Sequence, residues 1–303
     1  MKRILLCGSN GLLGQKLSLL LSSNTAYEVL NTSRDRSFVF DDRLFDYTQL
    51  DITHKGDVKS LISSFQPSVI INAAGATNVD WCETHREEAW NINVVGVENL
   101  VEASRKVGAK LIHVSTDYVF DGKNSPYAED AQPHPINYYG KTKLAGENAM
   151  RAGGIPNAIV RTIVVYGTGI KVKNNFALWV INSLHAGKRI RCVDDQCGNP
   201  THVSDLAQAI LRIFETDRCG LYHVCGREQV SRYDFAILAA DIFGLDRSLI
   251  ERSKSQELAQ TALRPLVTSF VTLKAESELG FRPMTIKDGL VLLKSELHAH
   301  RYN

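Results

Sequence analysis

The chain lacks the marks of several special environments. No apolar stretch approaches the roughly 20 residues that a bilayer-spanning helix needs. No run of five like charges occurs, and there is no C-x-x-C pair. Lys plus Arg total 35 against 33 Asp plus Glu, a formal charge of +2, so neither nucleic acid nor an anionic membrane is called for. The six cysteines, Cys7, Cys82, Cys192, Cys197, Cys219 and Cys225, are scattered, and Cys7 falls in a predicted core strand. They read as buried reduced thiols rather than as disulfides or a zinc site, and no metal is expected. Repeats and low-complexity segments are missing too, so the whole chain is expected to be ordered.

What is present is a chain of 303 residues, 44% of them hydrophobic, long enough for one large α/β domain and a smaller lobe. Its start, Met-Lys-Arg before Ile4-Leu5-Leu6-Cys7, is briefly like a signal peptide, but the apolar run ends after four residues and reads as a buried strand. A soluble protein of the cytoplasm is the expectation.

Up to about residue 165, short apolar runs alternate with longer helical patterns, the rhythm of βαβ units around a parallel sheet. Strands are predicted over Arg3–Cys7, Glu28–Asn31, Ser68–Asn72, Lys110–Ser115 and Ala158–Val164. Helices are predicted over Leu12–Leu21, Asp57–Phe65, Glu87–Val107 and Tyr139–Arg151. Past Gly167 the rhythm changes, with a helix near Asn175–Ala186. A helix over Ser204–Phe214, N-capped near Ser204, and a strand at Leu221–Gly226 then offer a return to the first sheet. The predicted class is α/β: a Rossmann-type doubly wound parallel sheet with a smaller C-terminal lobe. Residues 1–163 with about 202–228 form the expected dinucleotide-binding domain, and 164–201 with 229–303 the substrate-binding lobe.

Gly8-Ser9-Asn10-Gly11-Leu12-Leu13-Gly14 follows the first strand and opens the first helix. In that context Gly8 serves the turn, Gly11 the backbone's approach to a pyrophosphate and Gly14 the close packing of helix on strand, while the helix start offers free N–H groups to the phosphates. Asn10, Leu12 and Leu13 belong to the same loop. Where an NAD site commonly has an acid, this chain has Ser33-Arg34-Asp35-Arg36. The two guanidiniums suit a 2′-phosphate and favour NADP(H), with Asp35 leaving NAD(H) open. Asp51-Ile52 and Ala73-Ala74-Gly75, at the ends of two extended stretches, and Thr77 complete the expected cofactor contacts.

Tyr139 and Lys143 are four residues apart and share one helix face. A phenol titrating near ~10 becomes a usable acid when a cation lies beside it, so Tyr139 is the predicted proton donor and Lys143 its electrostatic partner, which also reaches the nicotinamide ribose. Thr116, at the end of a strand, is the predicted hydroxyl that orients Tyr139 and polarises a substrate carbonyl, with Ser115 in reserve. His113, inside an apolar strand, reads as a satisfied core histidine. His202 and Asp205 read as capping groups at a helix start.

The G-x-x-G-x-x-G form resembles that of the extended short-chain dehydrogenase/reductases. Ser115-Thr116-Asp117-Tyr118-Val119-Phe120-Asp121-Gly122 with Tyr139-Gly140-Lys141-Thr142-Lys143-Leu144-Ala145-Gly146-Glu147 is similar to the dTDP-4-dehydrorhamnose reductases, as are Asn72 to Glu83, Asn93, Arg264-Pro265 and Lys274 to Gly280. The resemblance implies NAD(P)H-dependent reduction of a 4-keto-6-deoxy sugar nucleotide, with Asn93 supporting the lysine and Val79, Asp80, Thr116, Asp117, Tyr118, Val164 and Arg264 on the substrate side. Arg264 is read equally as a phosphate contact and as a structural ion pair. Val164 stands where the family commonly has Trp, Val267-Thr268 where it has Asn-Ser, and Val271 where it has Asp. These departures leave the sugar open. Some members bridge a dimer through a metal held by an acid at the position of Lys16; no such metal is expected here, and a homodimer stays open. Two further readings are a sugar-nucleotide epimerase or dehydratase, disfavoured because Tyr118 replaces the dehydratases' Glu, and a cofactor-bound regulatory partner. The latter rests on similarity to the β subunit of methionine adenosyltransferase, which shares Pro200-Thr201-His202-Val203.

Overall fold

A computed structural model describes residues 1–41 and 43–299. Seven strands make one wholly parallel sheet: β1 (Lys2–Cys7), β2 (Tyr27–Ser33), β3 (Asp46–Gln49), β4 (Val69–Asn72), β5 (Lys110–Thr116), β6 (Asn157–Thr162) and β7 (Gly220–His223). Their spatial order is β7-β6-β5-β4-β1-β2-β3. The order reverses between β1 and β4, and in open α/β sheets that switch opens a crevice beyond the strands' carboxyl ends.

The unbroken apolar runs follow from burial on both faces. Ile4 and Leu6 of β1 pack with Leu17 and Leu21 of α1 (Leu12–Ser22) and with Leu206, Ile210 and Ile213 of the helix Val203–Glu215. Leu5 and Cys7 point the other way, into a cluster with Val58 and Ile62 of Lys55–Phe65, Leu100 of Gly96–Val107 and Met150 of α2 (Tyr138–Ala152). A third cluster joins the helices Phe176–His185, Arg232–Phe243 and Ile286–Ala299 through Ile181, Phe235 and Leu290. The helix Leu273–Leu279, grouped by sequence with the second lobe, packs Ala275 and Leu279 on the β1 side of the sheet.

Several expectations shift. The helix predicted over Glu87–Val107 is interrupted by a π turn at Asn91–Val95. The strand predicted to reach Val164 stops at Thr162, because the chain turns out of the sheet with Val164 at φ 42. The helix predicted from Ser204 starts at Val203, and its cap is the His202 side chain, which accepts from the Ser204 N–H at 3.3 Å. Of the six thiols, Cys219 is exposed and Cys197 partly so. No described helix is long and apolar enough to cross a membrane.

Candidate active site

The loop after β1 crosses the switch point in contact with the end of β4. Gly8 takes φ 82, and a Cβ there would lie 2.6 Å from the Ala74 nitrogen. A Cβ on Gly14 would lie 2.1 Å from the Gly8 carbonyl oxygen, so the helix packs on the loop only because position 14 is bare. Gly11 N-caps α1 without a side-chain acceptor, so the helix-start amides at Leu12 and Leu13 are presented outward with the positive end of the dipole. Asn10 is spent on structure: its Nδ2 donates to Asp35 Oδ2 at 2.9 Å and to the Ser37 carbonyl at 3.0 Å.

That contact bears on the loop after β2. Asp35 Oδ2 also accepts from Ser33 Oγ at 3.3 Å, and Ser33 in turn meets the Tyr47 hydroxyl at 2.9 Å. Arg34 and Arg36 are exposed, and no ion pair joins either to a carboxylate among the described residues. The acid is tied down while the guanidiniums are free. Asp51 closes its own turn, accepting from the Thr53 N–H and hydroxyl at 2.9 and 2.8 Å, and Ile52 is buried against Gly96. Gly75 and Thr77 are exposed beyond β4, and Ala73 and Ala74 partly so. An uncapped helix start, bare glycines beside it and two unpaired arginines at the end of β2 fit a dinucleotide carrying a 2′-phosphate.

Across the crevice, α2 brings Tyr139 and Lys143 to the ends of β4 and β5. Asn137 caps this helix by accepting from the Gly140 N–H at 2.8 Å, and Gly140 is packed so closely that a Cβ would lie 2.0 Å from the Tyr118 carbonyl oxygen. Lys143 Nζ donates to the Val114 carbonyl at 2.7 Å and lies 3.1 Å from His113 Nε2. A Cβ on Gly75 would come within 4.0 Å of that Nζ, so the lysine lies below the β4 turn. Asn93 does not hydrogen-bond the lysine. Its amide pins Ala76, accepting from that N–H at 2.9 Å and donating to that carbonyl at 3.0 Å, and reaches Thr142 Oγ1 at 3.0 Å.

The electrostatics differ from the sequence expectation. Burial pushes the Tyr139 phenol upward, with the Thr116 hydroxyl partly offsetting it, and pushes the Lys143 ammonium down to about 8. Desolvation thus outweighs the expected help from the neighbouring cation. Thr116 Oγ1 donates to Asp117 Oδ1 at 3.0 Å, and its oxygen receives the Tyr118 N–H at 3.2 Å. Thr116 also lies within hydrogen-bond reach of the Tyr139 phenol and so orients it. Ser115 is turned away and donates to Glu147 Oε1 at 2.6 Å.

Asp117 is buried; burial pushes its carboxyl up to about 6, against hydrogen bonds from Thr268 and Thr116. It lines a pocket with Tyr118, Val164, Gly198, Arg232 and Thr268. Asp80 and Arg264, both expected on the substrate side, bind each other at 2.6 and 2.7 Å, and the Arg264 guanidinium holds the Asp80 carboxyl below the usual range. That pair ties the short helix Val79–Thr84 to residues 262–264, and Arg264 also hydrogen-bonds Tyr118. Val79 packs beside Tyr139. Arg232, which hydrogen-bonds Tyr118 and acts on Asp117, escaped the sequence reading because nothing local in Ser231-Arg232-Tyr233 marks it. Lys16, at the position of the family's metal-binding acid, pairs with Glu296 at 2.5 Å.

Residues 1–298 match the RmlD substrate binding domain family. The chain belongs to that family. Among curated relatives it is 35% identical to the dTDP-4-dehydrorhamnose reductase of Aggregatibacter actinomycetemcomitans, over 93% of this chain and 95% of the other. It is 36% identical to methionine adenosyltransferase 2 subunit beta of Xenopus laevis, over 82% of this chain and 74% of that protein. The crystal structure of the dTDP-4-dehydrorhamnose reductase of Bacillus anthracis in complex with NADP superposes with a TM-score of 0.86 at 33% identity, covering 98% of this chain and all of the other. The RmlD-family fold thus accounts for the wholly parallel sheet and for where its switch point lies.

Proposed function

We propose that the chain is a reductase that uses NADPH to reduce the 4-keto group of a 4-keto-6-deoxy sugar nucleotide, acting as a dTDP-4-dehydrorhamnose reductase does. The observation that carries the reading is the convergence of Tyr139, Lys143 and Thr116 on the crevice that α1 faces with its uncapped start. In this reading residues 1–163 with 202–228 hold the cofactor and the remaining segments hold the sugar, in the cytoplasm. Gly8, Gly11, Gly14 and the amides of Leu12 and Leu13 receive the pyrophosphate, Ser33 and Arg34 the 2′-phosphate, and Asp51, Ile52, Ala73, Ala74, Gly75 and Thr77 line the nucleoside. The nicotinamide supplies the hydride.

The chain's own residues do the rest. Tyr139, kept protonated by burial, gives its hydroxyl proton to the carbonyl oxygen as that oxygen gains charge. Thr116 aims the phenol, and Asp117 fixes the direction of the Thr116 proton. Lys143 offers N–H groups to ribose hydroxyls and so sets the angle of attack. Tyr118, Val164 and Arg232 shape the sugar pocket, and the Asp80–Arg264 pair stiffens its wall.

The test follows NADPH absorbance with purified protein and a panel of 4-keto-6-deoxy nucleotide sugars. Turnover of one of them supports the reading, and none turned over with NADPH or NADH rejects it. The likeness to methionine adenosyltransferase 2 subunit beta favours a second reading, a dinucleotide-bound regulatory partner. Co-purification of a stable partner enzyme together with no turnover selects it.

A further inference from the structure

Asp35 stands between Arg34 and Arg36 in sequence, yet among the described residues its carboxylate forms an ion pair with neither. It is turned toward the glycine loop, where Asn10 Nδ2 donates to its Oδ2 at 2.9 Å and Ser33 Oγ donates to the same oxygen at 3.3 Å. The direction of the Asn10 amide is fixed by two further contacts. Its Oδ1 accepts the Val39 N–H at 3.2 Å, as only the oxygen end can, and its Nδ2 also donates to the Ser37 carbonyl at 3.0 Å, as only the NH₂ end can. The nitrogen therefore faces the carboxylate, in a charge-assisted bond.

The backbone on both sides of this contact is held by other groups as well. Gln15 Nε2 donates to the Asn10 carbonyl at 2.9 Å, and Gln49 Nε2 donates to the Arg34 carbonyl at 2.8 Å. Tyr47 stacks on Phe38 with ring centroids 5.2 Å apart, and its hydroxyl donates to the Asp35 carbonyl. Truncating the Asn10 side chain thus releases the Asp35 carboxylate and leaves these supports in place.

A free carboxylate at the end of β2 works against a 2′-phosphate in two ways. It accepts a 2′-hydroxyl, the group NADH offers at that position, and it pairs with the guanidiniums that a phosphate needs. Held against the glycine loop, Asp35 does neither. We infer that Asn10 is a specificity-determining residue for the cofactor: by holding the Asp35 carboxylate it leaves Arg34 to the 2′-phosphate and denies NADH an acceptor for its 2′-hydroxyl. The inference deepens the proposed reductase and rests on its placing of the dinucleotide in this crevice, whichever sugar is reduced. Discrimination here comes from removing an attraction for the wrong dinucleotide.

The experiment measures the dissociation constants of NADPH and NADH on the full-length chain, by nucleotide fluorescence, for the parent, Asn10→Ala, Asp35→Asn and the double variant. The parent is expected to prefer NADPH. In Asn10→Ala that preference is expected to fall by about tenfold, with NADPH weakened and NADH unchanged or tightened. Adding Asp35→Asn should return the preference to within about threefold of the parent's, which a merely loosened loop would not do. Asp35→Asn alone keeps an oxygen for Asn10 and is expected to change the preference by less than about threefold. Equal weakening of both dinucleotides in Asn10→Ala, or no recovery in the double variant, overturns the inference. So does a larger change from Asp35→Asn alone, whether or not Asn10→Ala folds, and so does a parent without a preference for NADPH. A parent that binds NADPH but reduces no keto sugar rejects the reductase reading while these ratios still decide the inference; one that binds neither dinucleotide rejects both.

Discussion

Thr116 has one proton to donate, and Asp117 receives it; Asp35 is likewise engaged by Asn10 and Ser33. Both contacts decide what neighbouring groups do. With Asp35 occupied, Arg34 is the free group at the end of β2, and a charge-assisted bond to a phosphate is worth about 1.5–3 kcal/mol. Arg34→Ala should therefore raise the KM for NADPH by about tenfold to a hundredfold and leave that for NADH within about twofold. Initial rates with the two cofactors measure this, and equal losses reject the 2′-phosphate contact. At this scale the sequence was most readable where the backbone itself constrains the residue. Gly8 and Gly14 stand where no Cβ fits, and the spacing of Tyr139 and Lys143 is helix geometry. The pairing of Asp80 with Arg264 was not readable, because the two lie 184 residues apart.

Helix α2 carries the catalytic candidates, and one buried ion pair holds it to the sheet. Arg161 of β6 donates to Glu147 at 2.8 and 2.7 Å, and both side chains are almost wholly buried. Burial pushes the Glu147 carboxyl up, but Arg161, Ser115 and Arg151 together hold it below the usual value. Glu147→Gln leaves a buried guanidinium uncompensated and should cost about 3–5 kcal/mol of stability, measured by urea denaturation. A loss under about 1 kcal/mol would show that the pair does not anchor the helix. Elements with strong periodicity, such as α1 and β1, were legible. The edge strand β3, Asp-Tyr-Thr-Gln, was not, because an exposed edge needs no apolar alternation. The π turn at Asn91–Val95 was invisible as well, since an added residue in one turn leaves the helical pattern on either side intact.

Over the whole molecule, three buried histidines tie folding to pH, and burial lowers His113 well below its usual value. Burial pushes His202 down to about 4 and His223 down to about 3, the latter beside Arg161. Each is neutral when folded and free to take a proton when unfolded. Their contribution to stability is fully present above about pH 6.5 and is lost as pH falls toward 4. Glu147 adds to the loss below its own unfolded value near 4.5. The midpoint of thermal unfolding should fall steadily from about pH 6.5 to about 4, and a flat profile would contradict the buried neutral histidines.

The parallel sheet matters to function because its order reversal brings the glycine loop of β1 and the Tyr139 helix to one crevice. The central claim is that Tyr139 delivers the proton there. Tyr139→Phe keeps the ring and its packing and removes the hydroxyl, so the decisive measurement is its kcat for NADPH-dependent reduction of a 4-keto-6-deoxy nucleotide sugar. The account predicts a fall of about 10²–10⁴ with the KM for NADPH little changed; a variant as fast as the parent chain would contradict it.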